Sequence, residues 1–265
     1  LELLRLQQRL AFEESKKQIL AAETREKKRK QQILFMIAAL VLSTLSGLVI
    51  YSQKNKTAKA KKRSDELLLN ILPENVAEEL KIHGSSEARK FDNVTVLFSD
   101  FKDFTKHAES LPATEIVSLL DHSFGAFDQI VTELGLEKIK TVGDAYICVG
   151  GLPVEDEYHA EKVVNCALKM QKYMAQHPAG WQLRIGIHSG NVVAGIVGLK
   201  KFAYDIWGDT VNTAARMEQN SEPGKINISS STYELVRANF DCHYRGKFDT
   251  KNKGSLDMNY VQGHR

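Results

Sequence analysis

The chain has 265 residues, a formal net charge of +3 and a hydrophobic share of 43%. That is enough apolar material for one globular domain with additions, and too little basic excess for a nucleic-acid-binding surface. Three cysteines, Cys148, Cys166 and Cys242, are too few and too scattered for a disulfide or zinc framework, so they predict reduced thiols.

Residues 1–32 are rich in Lys, Arg, Glu, Gln, Leu and Ala and lack Pro and Gly, which predicts a solvated helix with Leu3, Leu6, Leu10 and Ile19 as its apolar members. The chain opens on Leu1 rather than Met, and we expect a fragment whose upstream part, such as a sensor domain, is missing. Residues 33–51, ILFMIAALVLSTLSGLVIY, carry no charge. At helical rise they span about 28 Å, close to one hydrocarbon thickness, and they read as a single transmembrane helix in a lipid bilayer. A signal peptide fits poorly: the apolar run is long, follows a highly charged segment and lacks a small-x-small cleavage site. Basic clusters flank both ends, Arg25 to Lys30 before and Lys54 to Arg63 after, so the positive-inside rule barely discriminates orientation.

Residues 52–90 read as a connector and transducer. Ser52 to Arg63 is polar and basic, suited to anionic headgroups. Residues 64–80 then predict two short amphipathic helices hinged at Pro73, the first capped by Ser64 or Asp65. Leu67, Leu68, Ile71, Val76 and Leu80 need a partner surface, either the same helix of a second chain or this chain's own domain. Gly84-Ser85-Ser86 closes the linker.

Residues 91–265 form the chemistry-bearing domain. The predicted order is strand 92–99, helices 101–109 and 112–134, strands 137–142 and 145–150, helix 157–176, strands 181–188 and 192–198, helix 209–219, strand 225–229, helix 231–238, and closing strands near 241–247 and 256–262. This order suggests an α+β fold, a sheet with antiparallel pairs covered by helices. Val94, Val96 and Phe98 alternate along the first strand and leave Asp100 at its exit. Asp144 stands at the turn after Val142-Gly143, so adjacent strands would bring both carboxylates to one end of the sheet. Such a pair can hold hard divalent cations of the kind phosphate chemistry needs, although two turn aspartates, one of them a helix cap, read the same way. In KFAYDIWGDTVNTAARM, Gly208-Asp209-Thr210 looks like a helix start, Asn212 and Arg216 fall on one helical face, and Asp205 stands just upstream, so that amide, guanidinium and carboxylate are expected to converge. An N-terminal cap followed by a solvated face is the plainer reading of the same residues.

FSDFKDFT, EKIKTVGDAY, LRIGIHSGNVVAGIVG and YDIWGDTVNTAARM, in this order and spacing, resemble the catalytic domain of class III nucleotidyl cyclases, from about Leu68 to the end of the chain. The resemblance implies a ferredoxin-like βαββαβ core that works as a head-to-tail homodimer, with active sites shared between subunits. Asp100 and Asp144 match the family's metal carboxylates, for two Mg²⁺ or Mn²⁺ per site. Lys140 and Asp205 match its purine-reading pair, and Asn212 and Arg216 its transition-state residues. Arg184 and Lys251 match residues near the terminal phosphates, with Lys253 the competitor if the register slips by two. Guanylyl members usually carry Glu where Lys140 stands and Cys where Asp205 stands, so the implied substrate is ATP. One departure is Asp103, where a Gly is common.

The expected reaction is therefore that of an adenylyl cyclase, ATP to 3′,5′-cyclic AMP and pyrophosphate. A noncatalytic nucleotide sensor should have lost one of these residues, and a diguanylate cyclase should carry a GG-[DE]-E-F type turn that is absent here. Because ATP is cytoplasmic, residues 52–265 are expected in the cytoplasm and residues 1–32 across the membrane, an orientation the basic cluster at 25–30 fits poorly.

Overall fold

The computed structural model describes residues 2–177, 180–198, 202–250 and 254–265. It contains two compact units, Leu1–Leu67 and Leu68–Arg265. Helix α1 runs unbroken over Glu2–Leu69. The separate helix expected to begin at Ser64 or Asp65 does not exist, because both residues lie inside α1 and cap nothing. The reason is compositional: Lys, Glu, Gln, Ala and Leu are all good helix formers, and a change from apolar to basic surface does not interrupt backbone hydrogen bonding. Every side chain of 33–51 is exposed, so this is no buried core helix, and α1 is long and apolar enough to cross a membrane.

In the second unit, α2 spans Glu74–His83 behind Pro73 and ends at Gly84, whose φ of 73° makes the left-handed cap. Val76 is buried with Leu72 and Ala77, and Leu68 and Leu80 pack beside them, whereas Ile71 stays exposed. Leu68, Val76 and Leu80 thus meet the chain's own domain, while Leu67, like Ile71, is exposed.

The sheet order is β2-β3-β1-β4-β6-β8-β7, with β5 paired to β4. Its members are β1 (Arg89–Phe101), β2 (Glu137–Val142), β3 (Ala145–Gly150), β4 (Leu183–Val197), β5 (Ala203–Trp207), β6 (Ile226–Ser229), β7 (Phe240–Thr250) and β8 (Gly254–His264). Helices α3 (Phe104–Ser110) and α4 (Ala113–Glu133) follow β1, α5 (His159–Ala175) links β3 to β4, and α6 (Asp209–Gln219) and α7 (Ser230–Val236) come later. The first four strands thus follow βαββαβ order, and all pairs are antiparallel except β4 with β6.

Strand periodicity divides the core in two. Leu97, Phe101, Tyr146, Cys148, Ile185 and Ile187 face a layer with Phe127 of α4 and Met170 of α5. Val94, Val96, Ile147, Val149, Val192 and Ala194 face the other, with Leu72, Val76 and Ala77, Tyr204 and Ile206 of β5, and Ala214 of α6. All three cysteines are free thiols.

Two elements differ from expectation. Ser189-Gly190 reads as a turn, yet β4 passes straight through it to Val197. Glycines here serve helix packing instead: a Cβ on Gly186 would lie 1.8 Å from the Glu218 backbone N, and one on Gly190 would lie 2.5 Å from Thr210 Oγ1. Their absence of side chain lets α6 settle directly on β4. Strand β5 was unforeseen; it buries only Tyr204 and Ile206, too few residues to announce a strand among loop signals.

Candidate active site

Asp100 is the penultimate residue of β1, and its cross-strand partner on β4 is Arg184. Their side chains meet, with Arg184 Nη2 donating to Asp100 Oδ1 at 2.7 Å. Asp144 follows Gly143 in the β2–β3 turn, at the same end of the neighbouring strand pair. Burial pushes its pKa up and the charge of Asp100 pushes it further, while backbone N–H groups of Asp144 and Phe101 and the Arg184 guanidinium oppose the rise. Two carboxylates close enough to repel each other are a site in which a cation replaces an unfavourable contact with a favourable one.

Among the described residues no group of three or more His, Cys, Asp or Glu side chains is placed to hold a metal. A two-carboxylate set suits Mg²⁺ or Mn²⁺, which keep waters and take substrate phosphates for the remaining positions, and does not suit a closed protein cage. Asp100 and Asp144 would hold such ions.

Arg184 has a second acidic neighbour that sequence reasoning missed. Glu218 of α6 is buried, with Oε1 3.1 Å from Arg184 Nε. The pair is misaligned for a hydrogen bond, so both buried atoms lack a hydrogen-bond partner. Burial pushes the Glu218 carboxyl up to about 7, against the pull of Arg184. For Arg184, burial works against its charge, but Asp100, Glu218 and Asp144 outweigh it and raise its pKa. The available signal was positional: Glu218 falls beside Met217 on the buried face of an amphipathic helix, where a charge is out of place.

Lys140 on β2 and Asp205 on β5 form a second group, Nζ to Oδ2 at 2.5 Å. Asp205 also accepts from the N–H of Ile206 at 2.9 Å. The partner of Asp205 is thus Lys140, because β5 is a strand whose alternation buries Tyr204 and Ile206 and turns Asp205 toward β2. Asn212 is exposed and Arg216 half-buried on α6, with Arg216 Nη1 donating to Gln219 Oε1 at 2.6 Å. Lys251 and Lys253, between β7 and β8, lie outside the described residues.

The profile of the family described as "Adenylate and Guanylate cyclase catalytic domain" matches residues 86–263, which include every strand-borne and helix-borne residue of these groups. The chain belongs to the class III nucleotidyl cyclases. An adenylate cyclase of Mycobacterium tuberculosis is 37% identical over 247 residues, covering 87% of this chain and 56% of that protein. The receptor-type guanylate cyclase gcy-5 of Caenorhabditis elegans is 40% identical over 214 residues, covering 77% of this chain and 19% of that one. The crystal structure of the guanylate cyclase domain of RhGC from Catenaria anguillulae in complex with GTP superposes with a TM-score of 0.65 at 34% identity, over 67% of this chain and 100% of that one. The chain thus spans about half the length of the curated adenylate cyclase and a smaller part of the receptor-type relative.

Within the cyclase domain, Asp103 departs from the family's usual Gly in a way the backbone explains. Its φ of 54° is left-handed, a conformation Gly adopts freely and Asp tolerates better than most residues. Lys106 Nζ lies 3.1 Å from its carboxylate.

Proposed function

We propose that this cyclase domain converts ATP to 3′,5′-cyclic AMP and pyrophosphate. The observation that carries the choice of base is the contact of Lys140 with Asp205. Adenine presents an exocyclic amine donor and a ring-nitrogen acceptor. A carboxylate beside an ammonium complements that pair, whereas guanine reverses it. The ribose 3′-oxygen attacks the α-phosphorus as the bond to the β-phosphate oxygen breaks, so no protein nucleophile is needed. Bound Mg²⁺ or Mn²⁺ supplies a lowered pKa for the 3′-hydroxyl and neutralises phosphate charge. Arg216 meets charge developing on the transferring phosphate, Asn212 orients the ribose, and Arg184 with Lys251 holds the terminal phosphates. The 3′-hydroxyl proton passes to Asp100 or to water.

The site is shared between two copies arranged head to tail. Asp100, Asp144 and Arg184 come from one subunit, and Lys140, Asp205, Asn212 and Arg216 from the other. This agrees with the grouping in one chain, where no hydrogen bond or ion pair among the described residues joins the carboxylate group to the Lys140–Asp205 pair. Residues 33–51 anchor the dimer in a bilayer with the cyclase domains in the cytoplasm.

Turnover of ATP and of GTP by the purified dimer, with Mg²⁺ and separately with Mn²⁺, tests the reading through cyclic product and pyrophosphate. Cyclic AMP with little cyclic GMP is the expected result. Cyclic GMP in excess would overturn the base assignment, and no product from a dimer that binds ATP would overturn catalysis itself.

A further inference from the structure

Glu218 has no part in the reaction as derived so far, yet it is the most deeply buried acid near the site, at 7% exposed. Its position is enforced by backbone contact. With Gly186 under it, the Met217–Glu218 stretch of α6 lies directly on β4, two residues from Arg184. The Glu218 carboxylate therefore reaches the guanidinium at Nε, while Asp100 is held at the adjacent Nη2. The Nε contact is made without hydrogen-bond alignment, so two buried polar atoms remain unsatisfied. A buried unmatched pair costs stability, and apolar residues of similar volume would pack there at less cost. Retaining it makes sense if the guanidinium must keep its place while its partner at Nη2 changes.

Asp100 is that changing partner. In the proposed reaction its oxygens serve cations, which leaves Nη2 of Arg184 to turn to the triphosphate. The guanidinium then needs a fixed countercharge that is not itself a cation ligand. Glu218 satisfies this condition, because it touches Arg184 and, among the described residues, no third acidic side chain joins Asp100 and Asp144 in a metal-holding group.

We propose that Glu218 is a positioning residue that acts through Arg184, anchoring its guanidinium beside the terminal-phosphate subsite so that the pyrophosphate portion of the nucleotide is held. This deepens the proposed function and rests on it for the role of Arg184.

The test is a double-mutant cycle on the full chain, with Glu218→Gln, Arg184→Ala and the pair. Binding of inorganic pyrophosphate with Mn²⁺ and of adenosine is read by calorimetry, alongside KM and kcat for ATP. Glu218→Gln keeps shape and removes charge. It is expected to weaken pyrophosphate binding roughly five- to twentyfold and to raise KM for ATP in step, with kcat changed far less and adenosine binding unchanged. In the Arg184→Ala background the same substitution should change nothing further. Pyrophosphate affinity within twofold of wild type, an equal loss in both backgrounds, or a parallel loss of adenosine binding would each overturn the proposal. If the Gln variant does not fold, Glu218→Asp carries the same comparisons with charge kept and reach shortened. The binding arms need no turnover, so wild-type protein that binds pyrophosphate but makes no cyclic nucleotide overturns the proposed function while the cycle still decides the role of Glu218.

Discussion

Lys140 and Asp205 stand on strands that meet only in the folded chain, and their contact places a donor and an acceptor side by side. Replacing them together, Lys140→Glu with Asp205→Cys, should lower ATP turnover at least about tenfold and raise GTP turnover, read as the ratio of cyclic products. A second residue-scale expectation concerns Glu137 on β2, partly buried, whose carboxyl burial pushes up to about 7 from 4.5. In the unfolded chain this group ionises near 4.5, so between there and 7 the unfolded state loses its proton first and stability falls as pH rises. Above that window the penalty is constant; below it the penalty vanishes. Glu137→Gln should therefore stabilise the protein at pH 8 by about 1–2 kcal/mol, reduced from the full shift for partial exposure, and by only about a quarter of that at pH 5. Denaturant titrations at the two pH values check the sign.

Helix α6 is the element on which most of the chemistry converges. Asn212 and Arg216 sit on its outer face, and Glu218 is about 200° around from Arg216, on the face pressed against β4. Gly186 makes that contact possible, since any Cβ there would overlap Glu218 N, Glu218 Cα and Met217 C. The obstruction is backbone, which cannot swing aside. Gly186→Ala should therefore cost more than about 2 kcal/mol and displace α6, so that turnover falls even at temperatures where the variant stays folded. Thermal melting and kcat on one preparation separate the two effects. Full activity with unchanged melting would mean that α6 tolerates a shift along β4.

For the whole molecule, two copies with complementary half-sites make a prediction that no single-chain site makes. Asp144→Ala and Arg216→Ala proteins, each inactive alone, should recover roughly a quarter of wild-type activity when dimers exchange freely. Half of such dimers are mixed, and each mixed dimer has one intact site. No recovery in dimers shown to be mixed would place all the residues of a site in one subunit. The apolar stretch of α1 carries a separate expectation: the full chain should float with lipid vesicles and residues 68–265 should not.

Much of this was legible in the sequence. Period-two alternation marked β1, a short apolar run after a turn marked β3, Pro and Gly marked the start and end of α2, and a charge-free run of nineteen residues marked the bilayer-length stretch. The carboxylates at the ends of strands were readable for the same reason, since local pattern fixes where a strand stops. What the tertiary structure alone decided is pairing across distance. Arg184 meets Asp100 because β4 lies beside β1 in one register, and Asp205 meets Lys140 because β5 runs back along β4 toward β2. Ser189-Gly190 reads locally as a turn and becomes strand because it pairs with Thr95 and Val94 of β1, and the packing of α6 on β4 brings Glu218 to Arg184. A residue's own neighbours in sequence set its backbone preference; which charge it meets is set by strand order and helix packing, which no local window contains.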